Sequence, residues 1–78
     1  MAQYKHREFL MQVSYSAFDT RNAPATIASN PGIYRCPACG EEIVVAKGCR
    51  LPPADHHKHT DGQGKVEWQL LVFAEQSR

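Results

Sequence analysis

The chain has 78 residues and a mass of 8.8 kDa, which is enough for one domain and too little for two. Its composition, 42% hydrophobic and 22% charged, is that of an ordinary globular protein and excludes a collagen-like or wholly disordered chain. Nine basic and eight acidic side chains are interleaved along the sequence and leave a net charge of +1. Because proteins that bind nucleic acid through its phosphates usually carry a basic excess or a basic stripe, we expect no nucleic-acid partner.

The apolar runs of the sequence are short. The longest, 43–46 and 70–74, fall far below the length of a membrane span, and the residues after Met1 lack the apolar stretch of a signal peptide. We therefore expect a cytoplasmic protein without a membrane partner, in a compartment where disulfides are rare. Three cysteines also cannot all pair within one chain. The apolar core of a domain of this size usually gives too little stability by itself. We therefore expect a structural metal or oligomerisation to add the missing stability.

The first part of the chain gives weak structural signals. Residues 1–7 are polar and predict a flexible N-terminus, followed by a single domain over 8–78. Alternation of apolar and polar residues over 9–17 predicts a strand, although a helix also fits the spacing. Residues 19–31 are rich in Asn, Ala, Thr, Ser and Pro and predict an irregular connection. Within 30–32, the sequence Asn-Pro-Gly predicts a type II turn in which the glycine supplies the positive φ.

The second part of the chain predicts an antiparallel sheet. Short strands over 33–36 and 42–47 flank a tight Cys-Pro-Ala-Cys-Gly turn and form a hairpin. A polar loop over 54–64 then leads to the best strand of the chain, 65–73, whose centre is expected to be covered on both faces. The sequence thus predicts a small β-rich fold of three antiparallel strands, with the N-terminal segment adding a fourth strand or wrapping the edge.

One constellation of residues points to a metal site. The Cys36-x-x-Cys39-Gly40 turn is followed, after sixteen intervening residues, by a histidine cluster that begins at His56. Zinc is bound in structural sites by four thiolate or imidazole ligands, and two cysteines with this spacing can point at one ion. His56 and His59 repeat the spacing of the cysteine pair. We therefore predict a Zn²⁺ ion bound by the residues Cys36, Cys39, His56 and His59.

Several alternatives remain open at this level. His57 can replace His56 as the partner of His59, and Cys49 can replace one histidine. Asp55 is a candidate for orienting a ligand histidine through its second ring nitrogen. A redox-active cysteine pair would need a βαβ context that the sequence does not predict. The histidine cluster could also be a plain solvated loop.

The cysteine turn lies within a longer pattern. Gly32-Ile33-Tyr34-x-Cys36-x-x-Cys39-Gly40, then Gly48-x-x-Leu51-Pro52-Pro53 and a late Trp68, resembles a group of small bacterial zinc-ribbon, rubredoxin-like proteins. The resemblance covers about residues 31–70 and implies a zinc-ribbon fold with Cys36 and Cys39 as ligands. Where these proteins place a second Cys-x-x-Cys after Pro-Pro, this chain has Ala54 and the histidine cluster. The exchange weakens a rubredoxin-like electron-transfer role, since that iron site uses four cysteines.

These observations favour a zinc-binding domain with a structural metal that acts through protein contacts and is not an enzyme. Two rival functions carry less weight. A mononuclear zinc hydrolase would need three protein ligands, a bound water, and Glu41 or Glu42 as general base. A zinc ribbon that binds nucleic acid conflicts with the balanced charge. Trp68, Tyr34 and Phe73 lie on predicted strands, so we expect them to pack in the core rather than to stack on bases.

Overall fold

The computed structural model describes residues 1–60 and 62–75, and its centre is one antiparallel sheet of four strands in the order β1-β4-β2-β3. The strands are β1 (Arg21–Asn22), β2 (Gly32–Arg35), β3 (Glu42–Val45) and β4 (Trp68–Phe73). Two single turns of 3₁₀-helix, Arg7–Phe9 and Ser16–Phe18, precede the sheet. The expected small β-rich fold is confirmed. Within the described ranges, no helix is long and apolar enough to cross a bilayer.

The hairpin of β2 and β3 is the part of the fold that the sequence predicts best. Ile33 pairs with Val44 and Tyr34 with Ile43, as expected for two short strands joined by the cysteine turn. On its other side β2 pairs with β4, and the register shifts between Ile33 and Tyr34, where a β-bulge leaves Leu71 without an opposite residue. The shift keeps Leu70 opposite Tyr34 and therefore on the buried face of the sheet.

The core lies between one face of the sheet and three loop segments. Strand residues of β2, β3 and β4 supply one side of it, and the loops around Ala28, Leu51 and Val66 supply the other. Its buried members are Ala28, Tyr34, Cys36, Val45, Leu51, Val66, Trp68 and Leu70. Tyr34 donates its hydroxyl hydrogen bond to the carbonyl of Asn30, at 2.6 Å, so its polar end is satisfied. Burial of Tyr34 and Trp68 confirms their predicted packing role, whereas Phe73 is 41% exposed.

The predicted strand over 9–17 is wrong. This segment contains only the end of the first 3₁₀ turn and the start of the second, and its large side chains, Phe9, Met11 and Tyr15, are exposed. Alternation alone does not form a strand, since a strand needs pairing with a sheet edge. The edge of β4 is occupied by Arg21–Asn22, within the predicted irregular connection, and residues 9–17 do not pair with the other edge of the sheet, on β3.

The two later strands are shorter than predicted, and β4 is buried on one face and only partly covered on the other. Trp68 and Leu70 are buried, but Leu71 on the β-bulge is 38% exposed. Four successive apolar residues, 70–73, therefore do not indicate burial of both faces, because the β-bulge at Leu71 interrupts the alternation of the strand. The predicted domain boundary at residue 8 stays a prediction, and residues 76–78 of that domain lie outside the described residues.

Gly32 is required by the close approach of two backbones. Its φ is +151°, and a Cβ placed on it would lie 1.9 Å from the carbonyl oxygen of Val72. We expect Gly32→Ala to reduce the free energy of unfolding by about 2–4 kcal/mol, because β2 and β4 would have to separate. Chemical denaturation measures this loss.

Gly48→Ala is the matched control. Gly48 also has a positive φ, +84°, but a Cβ there would meet no atom within 4 Å. Only the conformational cost of about 1–2 kcal/mol is expected at that position. Equal destabilisation by the two variants would show that φ alone, and not the contact with Val72, makes Gly32 necessary.

Candidate metal centre

The first half of the site is the turn that joins β2 to β3. The backbone N–H of Cys36 donates to the carbonyl of Glu41, and the N–H of Gly40 donates to the carbonyl of Cys36, both at 2.8 Å. Gly40 adopts a φ of +85°, which a residue with a side chain would adopt only with strain. The turn places the Sγ atoms of Cys36 and Cys39 on the same side. Cys36 is fully buried and Cys39 is exposed.

The second half of the site is the loop that leads into β4. Trp68, the first residue of β4, forms the base of this loop because its ring meets the rings of His56 and His57 edge-on at 5.6 Å. The indole N–H of Trp68 donates to the carbonyl of Pro52 at 3.2 Å, which holds the start of the loop against the sheet. Packing on a buried tryptophan thus brings the histidines to the cysteine turn.

Four side chains converge where the two halves meet. The donor atoms of Cys36, Cys39, His57 and His59 all lie within 4.8 Å of one another. The Sγ of Cys36 is 3.4 Å from Nε2 of His59, and the Sγ of Cys39 is 3.1 Å from Nε2 of His57. The two Nε2 atoms are 3.1 Å apart.

These distances fit a tetrahedral ion. With the usual zinc–sulfur and zinc–nitrogen bond lengths, tetrahedral geometry separates sulfur from nitrogen by about 3.6 Å and nitrogen from nitrogen by about 3.3 Å. The observed spacings fall a few tenths of an ångström below these values. The group can therefore hold a metal ion with a small outward movement of the side chains.

Both histidines are held by their second ring nitrogen. Nδ1 of His59 lies 2.7 Å from the carbonyl oxygen of Gly64, so Nδ1–H donates there and the lone pair of Nε2 is left for an ion. Nδ1 of His57 lies 3.0 Å from Nδ1 of His56. With Nε2 of His57 directed at the cysteines, His57 donates to His56. The sequence shows the glycine at position 64 but cannot reveal that its carbonyl returns to His59.

Three of the four residues predicted as ligands from the sequence lie in this group: Cys36, Cys39 and His59. The structure does not bring His56 into it, and His57, the open alternative, takes that place. The histidines whose donor atoms reach the cysteines are two residues apart in the sequence, whereas the predicted pair was three apart. Cys49 is exposed and lies outside the group. Within residues 1–60 and 62–75, Asp55 forms no hydrogen bond or ion pair with a histidine, so the structure does not give it the suggested orienting role.

The surroundings of the donors change their protonation. Burial raises the pKa of the Cys36 thiol, but hydrogen bonds to the thiolate, first among them that from the backbone of Glu67, outweigh it and lower the pKa to about 6. Burial raises the pKa of Cys39, and so does the neighbouring Cys36. The carbonyl of Gly64 raises the pKa of His59 by accepting its hydrogen bond. Cys36 is therefore mostly a thiolate at neutral pH, which favours binding of a cation.

Comparison with known proteins adds one relative. Protein L of Escherichia coli is 37% identical over 67 residues, which cover 83% of this chain and 76% of that protein. No protein-family model matches the sequence, and no solved structure matches it. The resemblance to zinc-ribbon proteins therefore depends on the cysteine turn and the β-rich fold. By the extent and identity of the match, this chain belongs to the same family as Protein L of Escherichia coli.

Proposed function

We propose that this protein is a small zinc-binding domain in which Cys36, Cys39, His57 and His59 hold a structural Zn²⁺ ion, and that it acts in the cell by binding another protein. The observation that carries the proposal is the convergence of two sulfur and two nitrogen donors within 4.8 Å. Two thiolates with two imidazoles are a typical ligand set of structural zinc, and hard cations such as Mg²⁺ and Ca²⁺ prefer oxygen.

A structural role fits the site better than catalysis. A catalytic zinc site keeps one position open for water, whereas four protein donors would fill a tetrahedral shell. The candidate general base Glu42 is engaged elsewhere, since its Oε2 accepts from Arg35 at 2.8 Å and lies 3.5 Å from the N-terminal amine. Protein partners are favoured over nucleic acid by the net charge of +1.

The ligand assignment is tested by replacing each of the two neighbouring histidines, His56 and His57, by alanine in turn. We expect His57→Ala to remove a ligand and to lower zinc affinity at least about a hundredfold, with loss of the spectrum of a tetrahedral ion when cobalt(II) replaces zinc. His56→Ala removes the group that accepts from His57 and one edge-on contact with Trp68, so affinity should fall about tenfold, the lower end of the effect of losing such an outer partner. Competition with a chelator of known affinity, followed by native mass spectrometry, measures both.

His6→Ala is the control for histidine loss outside the site, because His6 lies in the exposed N-terminal segment. It should leave zinc affinity unchanged. If His56→Ala abolished the cobalt spectrum while His57→Ala kept it, the assignment from the sequence would stand and the one proposed here would be wrong. One bound zinc per chain is expected, and a protein that takes up none from a zinc-containing buffer contradicts the proposal.

A further inference from the structure

The outer edge of β3 carries an exposed apolar side chain at its middle. β3 ends the strand order, and no strand within residues 1–60 and 62–75 lies beyond it. Its middle residue, Val44, is 82% exposed. Natural edge strands are usually protected by short length, charged residues, proline or a bulge; β3 is short and starts with Glu42, but residues 43–46 contain no charge, proline or bulge.

The backbone groups on this edge can be assigned from the hydrogen-bond pattern. The N–H of Cys36 donates to Glu41 on the β3 side, and the N–H of Ala74 donates to Pro31 on the β4 side. Because the bonds of an antiparallel ladder alternate, even-numbered residues of β2 bond to β3 and odd-numbered residues bond to β4. The N–H and C=O groups of Glu42 and Val44 consequently point away from β2, toward the open edge.

The charges that flank the strand have opposite signs at its two ends. Glu41 precedes β3 and Lys47 follows it, each exposed, and Val44 is midway between them. If a second copy of the strand lies antiparallel with Val44 opposite Val44, Glu41 of each copy meets Lys47 of the other. A register centred on Glu42 would instead bring two carboxylates together, which is unfavourable. The charge pattern is therefore complementary to itself in one register.

We infer that the β3 edge binds a second copy of this chain, forming a two-fold symmetric dimer with a continuous sheet of eight strands, twice the four of one copy. Backbone hydrogen bonds at Val44 form the centre of the interface, the Val44 side chains cover each other, and two Glu41–Lys47 pairs lie at its ends. The inference concerns a surface apart from the metal centre and does not depend on which ion the centre binds.

The test uses the full chain loaded with zinc, so that folding is not in question. We expect a dimer by light scattering after size exclusion at about 100 μM, and Val44→Lys should weaken it at least about tenfold by placing two like charges at the two-fold axis. Phe9→Lys is the matched control, because it makes the same exposed change away from β3 and should leave the dimer intact. Circular dichroism verifies that each variant remains folded.

Charge reversal tests the register. Glu41→Lys and Lys47→Glu should each weaken the dimer at least about threefold, since both pairs of the symmetric interface become repulsive. The double variant restores opposite charges and should restore the dimer. A wild-type monomer at about 100 μM, or a dimer that survives Val44→Lys, would overturn the inference. Failure of the double variant to recover would overturn the register centred on Val44.

Discussion

Removal of the proposed Zn²⁺ ion is expected to unfold this protein at room temperature. A structural zinc ion contributes on the order of 10–16 kcal/mol in small modules, whereas the net stability of most domains is about 5–15 kcal/mol. The chain is short, and the core formed by its described residues has eight buried members, of which Cys36 is a proposed ligand and Trp68 lies beneath the histidines. Loss of the ion therefore removes support from the core itself as well as from the loop.

The histidine loop should be the first part to lose structure. Apart from the metal centre, its described internal hydrogen bonds are few, such as those from His56 N–H to Pro53 and from Gln63 N–H to Thr60. Excess chelator at neutral pH should collapse the dispersion of the amide spectrum over residues 33–60 and leave a chain without a cooperative thermal transition.

Reversal identifies the ion as the cause. Added Zn²⁺ should restore the spectrum, and Mg²⁺ or Ca²⁺ at the same concentration should not, because these ions prefer oxygen ligands. An amide spectrum that stays unchanged after verified removal of the metal would contradict a structural role for the site.

The parts of this fold that the sequence predicts are those governed by local chemistry. The β2–β3 hairpin follows from two short apolar strands around a cysteine turn, and Gly40 supplies the conformation that the turn needs. The alternating run over 65–73 predicts β4, and the tryptophan in that run, Trp68, is buried in the structure. In each case the signal lies within a few residues of the structure that it predicts.

The parts that the sequence does not predict depend on distant contacts. The two-residue strand β1 exists because Arg21 and Asn22 lie opposite Gln69 and Trp68, and the Asn22 side-chain amide donates to the Trp68 carbonyl at 3.1 Å. No pattern within residues 19–31 predicts this pairing. Conversely, the alternation over 9–17 predicts a strand, but this segment pairs with no strand of the described sheet.

Which of His56 and His57 lies beside the cysteines also depends on contacts with residues distant in the sequence. Both histidines are adjacent in sequence and both contact Trp68, so neither composition nor spacing separates them. The path of the loop over the tryptophan ring decides that Nε2 of His57 meets the cysteines, while Nδ1 of His56 faces the opposite nitrogen of His57. The two cysteines could be predicted from the turn alone, whereas the histidines that lie beside them could be identified only from the fold.

Serine substitutions at the three cysteines are expected to divide them into two classes. Cys36→Ser and Cys39→Ser each remove a thiolate from the four-donor group, so zinc affinity should fall at least about a thousandfold, equivalent to about 4 kcal/mol. Both variants should then show the spectrum and thermal behaviour of the metal-free chain. Cys49→Ser should bind zinc like the wild type and change the free energy of unfolding by no more than about 0.5 kcal/mol.

The comparison of Cys39 with Cys49 separates ligation from packing. Cys36 is buried, so its replacement could destabilise the core without any role in metal binding, but Cys39 and Cys49 are both exposed. Cys49 contributes only its backbone to the fold, donating to Ala46 at 3.1 Å and accepting from Ala28 at 2.8 Å, and serine preserves both bonds. A large loss of zinc in Cys39→Ser alone would therefore reflect the missing thiolate. Equal loss of zinc in Cys49→Ser would make Cys49 a ligand, and one of the two histidines would then have to leave the coordination shell.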